Sequence, residues 1–197
     1  ILLRKETIRI ANLKMGERVL DLGTGTGDLA REARIKNNGL FLIASDFTLA
    51  MMTATRDWNM IQRTSADALT LPFEEDTFNV VMSGYLVRNV SSLDTALAEQ
   101  FRVLRPGGRV VILDMTRPRH NLLTPIINFY LKSIVPLLGR IFNRNRDAYT
   151  YLIQSTQNFV TAENMVLAME KAGFQNIQFR IRMFGTMAIH DGIKPQE

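Results

Sequence analysis

Three carboxylates and a run of glycines are the residues best suited to hold a ligand. Asp21 ends the apolar run Val19-Leu20-Asp21-Leu22, and Gly23-Thr24-Gly25-Thr26-Gly27 follows at once. Glycines at 23, 25 and 27 let a backbone turn tightly and approach a ligand without an intervening Cβ. Asp46 ends a second apolar run, where the lone pairs of a carboxylate suit both hydroxyls of a ribose. Phe47, next in sequence, offers a ring to pack on adenine. Asp67, followed by Ala68, comes after a third run and suits the adenine amino group. Ser83 ends a fourth run and falls at the same edge.

These features describe a ligand with a cationic amino group, a ribose and an adenine. S-adenosylmethionine has all three, its amino group and carboxylate resting on the glycine loop. A dinucleotide is the rival, because Gly25-Thr26-Gly27-Asp28-Leu29-Ala30 fits the G-x-G-x-x-A fingerprint with Asp46 about 20 residues on. Against the dinucleotide, the charge of Asp21 would crowd a pyrophosphate but pair with an ammonium. Plainer roles stay open: a loop cap for Asp67, simple packing for Phe47.

The elements that must position these residues alternate. Strands are expected at 18–22, 40–44, 60–65, 78–82 and 109–114, with helices at 28–36 and about 48–56. A further helix, capped by Ser91 or Ser92, buries Leu93, Leu97, Phe101 and Leu104 on one face. Arg105-Pro106-Gly107-Gly108 then turns the chain. Such alternation implies an α/β fold, a mostly parallel sheet with helices on both faces. Residues 121–142 and 147–158 read as a helical, apolar insertion after the fifth strand, spanning about 120–160. A helix from Thr161 to Lys171 and a strand pair at 176–183 and 186–190 complete seven strands. In an open sheet of this kind the ligand lies beyond the carboxyl ends of the strands, where Asp21, Gly23, Asp46 and Ser83 all fall.

A chain of 197 residues, 46% hydrophobic and 22% charged, suits one globular domain over 1–197. With no cysteine, a disulfide scaffold, a thiolate metal centre and thiol nucleophiles are excluded; no metal is expected, and a reducing cytoplasm is compatible. The net charge of +5 would suit a polyanion, but the basic residues do not interleave with aromatics, so no nucleic-acid partner is expected. In the 121–146 region Leu122, Leu123, Ile126, Ile127, Phe129, Ile134 and Leu138 leave only a narrow polar stripe, and Arg140, Arg144 and Arg146 follow. That surface is ordinary core, a homodimer interface, or a peripheral contact with lipid phosphates and a route for a greasy substrate.

Together, LDLGTGTGDLA, ADALTLPFEEDTFNVV, VRNV, FRVLRPGGRVVILDMTRP and FGTMAIHDG resemble the ubiquinone/menaquinone biosynthesis C-methyltransferase family, in order and spacing over nearly the whole chain. Tyr85-Leu86-Val87 stands where that family usually has Phe-Gly-Leu or Phe-Gly-Ile. The resemblance implies a Rossmann-like class I methyltransferase fold with S-adenosylmethionine as cofactor. It implies methyl transfer to a ring carbon of a prenylated quinol such as demethylmenaquinol. Family members carry an N-terminal segment that closes over the substrate, and the sequence from Ile1 shows none. Arg88 is then placed to stabilise a phenolate, Asn89 to hold a second oxygen, and His190 or Tyr149 to accept or relay a proton. Each has a structural alternative, Arg88 as a cap or surface ion pair and His190 as a strand-end residue. An O- or N-methyltransferase of another small molecule or lipid, a nucleic-acid methyltransferase and a non-catalytic cofactor-binding partner are the competing readings.

Overall fold

The computed structural model describes residues 2–55, 58, 61–117 and 160–196. Its strands are β1 (Arg18–Leu22), β2 (Phe41–Asp46), β3 (Gln62–Ser65), β4 (Phe78–Gly84), β5 (Leu104–Met115), β6 (Gln175–Arg182) and β7 (Met187–Ile193). They form one sheet in the order β3-β2-β1-β4-β5-β7-β6. The first five strands pair in parallel; β7 runs antiparallel between β5 and β6. The chain moves outward from β1 through β2 to β3, then returns to place β4 on the other side of β1. That reversal opens a crevice at the carboxyl ends of β1 and β4, the usual ligand position of an open α/β sheet.

Alternation along the strands divides the core in two. Val19, Val80, Met82, Val111, Leu113 and Ile189 pack with α1 (Leu2–Ala11) and α2 (Asp28–Lys36) through Ile8, Ala11, Leu29, Ala30 and Ala33. Leu20, Leu22, Val81, Val110 and Ile112 pack with α4 (Leu93–Val103) and α5 (Ala162–Lys171) through Leu97, Val103, Met165 and Met169. The short α3 (Leu49–Thr53) follows β2. Strands β1, β4 and β5 therefore each contribute to both layers, as a two-residue period requires.

Most expected elements are present with ends shifted by a few residues; β5 already begins at Leu104, so Leu104 belongs to the strand rather than to α4, and Arg105-Pro106-Gly107-Gly108 is an irregularity within β5 rather than a turn before it. Ser92 rather than Ser91 caps α4, its Oγ accepting from Thr95 N at 3.2 Å, and Thr161 caps α5 in the same way through Asn164 N. The helix after β2 stops at Thr53, and β7 runs on to Ile193, edge to edge with β5 as far as Arg109. Among the described residues three elements were not expected: α1, the 3-10 turn Val87–Asn89 after β4 and the 3-10 turn Met183–Gly185 between β6 and β7. The expected helices at 121–142 and 147–158, with Tyr149, lie outside the described residues.

Helix α1 is tied down along its length. Arg109, on β5, donates Nη2 to Asn12 O at 2.8 Å and pairs through Nη1 with Glu17 at 2.9 Å. Arg182, at the end of β6, donates Nε to Glu6 Oε2 at 2.9 Å. Arg4 Nη2 meets Asp28 Oδ2, on the first turn of α2, at 2.7 Å.

Candidate functional site

The crevice at the sheet's switch point is a cleft of about 680 Å³ whose walls include Asp21, Gly23, Thr24, Gly25, Asp46, Phe47, Asp67, Ala68, Arg88 and Asn89. Ten of the thirteen residues expected at the site thus border one cavity. Its floor is the end of β1. There Asp21 is fully buried: Oδ2 accepts from Thr24 Oγ1 at 2.6 Å, while Oδ1 has no hydrogen-bond partner. Burial, with Asp46 as a like charge nearby, pushes the Asp21 carboxyl from 3.8 up to about 7. Asp21 borders the cleft, and a buried carboxyl with one oxygen lacking a partner is suited to a cation there.

Asp46 anchors the glycine loop. Its Oδ2 accepts from Gly25 N and its Oδ1 from Thr48 N, both at 2.8 Å, joining the tips of β1 and β2. Each oxygen keeps lone-pair capacity for a ribose hydroxyl. Phe47 borders the cleft with its ring largely exposed, as a stacking platform requires. Asp67 Oδ1 accepts from Leu69 N at 2.9 Å, so its loop-cap role is realised at the cleft edge. Gly23 takes φ +69, and a Cβ there would stand 2.9 Å from Leu86 Cδ1, so the turn and the close approach both require glycine.

Gly27, Ser83 and His190 are not where the sequence reading put them. Gly27 caps α2 in the left-handed region at φ +82, and a Cβ there would run into the Trp58 ring rather than into the cleft. Ser83 is buried and does not border the cleft. It pairs with Leu22 across the sheet, one step out of phase with Asp21, so its Oγ turns to the α4 layer. His190 lines a separate cavity of about 320 Å³ with Val87, Arg88, Ile112, Asp114 and Met165. Its Nε2 lies 3.1 Å from Ala162 O, its ring stacks on Phe179, and burial holds its pKa below the usual value.

Arg88 stands between the two cavities and borders both. The 3-10 turn that carries it begins after Tyr85, which takes a left-handed φ of +62, costly for a residue with a Cβ and common where a site dictates the backbone. Tyr85 N donates to Leu113 O and Tyr85 O accepts from Asn89 Nδ2, both at 2.8 Å. The Arg88 guanidinium lies over the Tyr85 ring at 5.2 Å. Below the turn, buried Asp114 accepts from Arg88 N at 3.4 Å through Oδ2 and from Met115 N at 2.7 Å through Oδ1. Burial raises the Asp114 carboxyl above its ordinary range.

Sequence reasoning missed Arg4, Met51, Tyr85, Leu86 and Asp114. Arg4 was detectable only through the helical spacing of Leu3, Thr7, Ile8 and Ala11. Asp114 carried a clearer signal, an acid at a strand end.

A mostly parallel seven-stranded sheet, a glycine turn at its switch point and acids at the tips of β1 and β2 define a class I S-adenosylmethionine-dependent methyltransferase. The orphaned Asp21 oxygen, and the room at Gly25, where a Cβ would meet only Met51 Cε at 3.7 Å, fit that cofactor. The model of the ubiE/COQ5 methyltransferase family matches residues 1–194, and the chain belongs to that family. It is 39% identical over 184 residues to the ubiquinone/menaquinone biosynthesis C-methyltransferase of Desulfotalea psychrophila, covering 89% of this chain and 73% of the relative. It is 37% identical over 195 residues to the demethylmenaquinone methyltransferase of a Roseiflexus species, covering 97% and 82%. Among solved structures, phosphoethanolamine N-methyltransferase 2 of Haemonchus contortus, in complex with S-adenosyl-L-methionine, superposes with a TM-score of 0.75. That match covers 99% of this chain and 53% of the other at 16% identity, a likeness of fold.

Proposed function

We propose that the chain methylates a ring carbon of a prenylated quinol, as the names of its relatives indicate for them. The observation that carries this reading is Arg88, a cation set between the cofactor cleft and a smaller cavity whose walls combine Val87, Leu93, Ile112 and Met165 with Asp114 and His190. S-adenosylmethionine supplies a methyl group on a sulfonium, which leaves as a neutral thioether. Asp21 holds the amino group at the methionyl end, Asp46 the ribose hydroxyls, and Asp67 with Phe47 the adenine. A ring carbon becomes nucleophilic when a neighbouring hydroxyl loses its proton, and phenols titrate near ~10. Arg88 stabilises that phenolate without acting as a base; the hydroxyl proton leaves to water, and after methyl transfer the proton on the methylated carbon is lost as the ring regains aromaticity. Asn89 holds a second ring oxygen. His190, held against Ala162 O beneath α5, has a weaker claim to proton transfer than to packing.

Contact with a bilayer surface through the apolar and basic region 121–146 belongs to the same proposal, since a polyprenyl substrate resides there. So does a homodimer through that region; both rest on sequence, for these residues lie outside the described ones. Among the described residues no helix is long and apolar enough to cross a membrane.

The test is incubation with methyl-labelled donor and a panel of reduced demethylquinols, other phenols, amines and RNA, with mass analysis of the product. Carbon-bound label on a quinol is expected; label only on oxygen, nitrogen or RNA overturns the proposal. Arg88→Ala should lower turnover by about 100-fold or more with donor affinity nearly unchanged, read by calorimetry beside steady-state rates. Equal loss of both would make Arg88 a structural residue.

A further inference from the structure

The methionyl end of the donor is a zwitterion, and Asp21 accounts for only half of it. Once the ammonium sits on the orphaned Asp21 oxygen, the carboxylate on the same carbon must lie a few ångströms away and needs donors of its own. The glycine loop is the obvious source, but three of its N–H groups are committed. Thr24 N donates to Ser45 O at 2.9 Å, Gly25 N to Asp46 Oδ2 at 2.8 Å and Gly27 N to Thr24 O at 2.8 Å. Those three amides are therefore not free for the carboxylate that the sequence reading rested on the loop.

Among the described residues two cations line the cleft, Arg4 and Arg88. Arg88 lies over Tyr85 on the side shared with the smaller cavity. Arg4 reaches the cleft from α1, with Gly25, Thr26 and Asp28 among the other lining residues. It meets Asp28 Oδ2 through one Nη, and a guanidinium carries five N–H donors in a planar fork matched to a carboxylate. Asp28 is shared with Arg31, whose Nη1 also donates to Thr26 O at 2.7 Å. Two guanidinium groups against one carboxylate leave this corner with a net positive charge. The charge of Arg4 also reaches Asp21, where it favours the ionised form that an ammonium requires.

We propose that Arg4, steadied by the Asp28 and Arg31 ion pairs, binds the carboxylate at the methionyl end of S-adenosylmethionine, making α1 a wall of the donor site. The cleft then reads the amino acid by its two charges, Asp21 for one and Arg4 for the other. The inference rests on the donor occupying this cleft.

The test is calorimetric titration of the whole chain with S-adenosylmethionine and with decarboxylated S-adenosylmethionine, which keeps the ammonium and lacks the carboxylate. The unaltered protein should prefer the former by roughly tenfold or more. Arg4→Gln should abolish that preference while binding of the decarboxylated compound stays within about twofold. Arg182→Gln, which loosens α1 at its tie to Glu6 instead, should keep the preference. Equal weakening of both compounds by Arg4→Gln would make Arg4 a mere tie between α1 and α2 and overturn the inference, as would no change in either. Binding of neither compound by the unaltered protein would overturn the cofactor assignment itself.

Discussion

Asp21 couples stability to function through one buried carboxyl. Its folded pKa of about 7 lies above the ordinary 3.8, so between these values the folded state holds a proton that the unfolded state has lost. Stability must then fall as pH rises from ~4 to ~7 and level off above, with a cost of roughly 4 kcal/mol once both states are ionised. Asp21→Asn removes that cost. The variant should melt higher than the unaltered protein at pH 8 and converge with it near pH 4, while its affinity for S-adenosylmethionine drops at least about tenfold. Thermal unfolding across pH, beside calorimetry, checks both; a variant that melts lower at pH 8 contradicts the account. At this scale the sequence was informative about residue type, since an acid closing a strand before a glycine turn can be read directly. It could not say which way a side chain faces. Asp21 and Ser83 each end a strand, and only the pairing of Leu22 with Ser83 puts them on opposite sides of the sheet.

Among elements, the turn Val87–Asn89 matters most and was least visible. A 3-10 turn of three residues has no periodicity to detect, and the left-handed Tyr85 that starts it is not a glycine. It is held from below by Asp114, across the β4 to β5 pairing. Asp114→Ala should therefore misplace Arg88 and lower turnover by up to about 100-fold while donor affinity stays within about twofold. Loss of donor binding in that variant would show that the turn supports the cofactor instead. Strands β1, β2 and β4 were legible because each is a short apolar run ending at a polar residue. Helix α1 was overlooked although Leu3, Thr7, Ile8 and Ala11 share a face, because charged residues between them mask the pattern. Its position depends on Arg109 and Arg182, which are remote in sequence.

For the whole molecule, the switch in strand order sets the ligand's place and the ligand sets apparent stability. A donor present at 100 times its dissociation constant adds about 2.7 kcal/mol, a rise in melting temperature of roughly 5–11 °C for a chain of this size. S-adenosylmethionine and S-adenosylhomocysteine should give that rise and nicotinamide dinucleotides none, which separates the two ligands that the glycine fingerprint alone left open. The acceptor was legible only through resemblance, since nothing in charge or periodicity specifies a quinol. Trp58 has a further use. It is the one tryptophan in the chain, buried against Gly27, with Nε1 donating to Met52 O and Thr55 O at 3.0 and 2.9 Å and Arg63 over its ring. The protein thus carries a single indole chromophore behind its cofactor loop. Its emission should change in intensity or wavelength as the donor is titrated, in step with calorimetry, giving an optical record of occupancy without any added label.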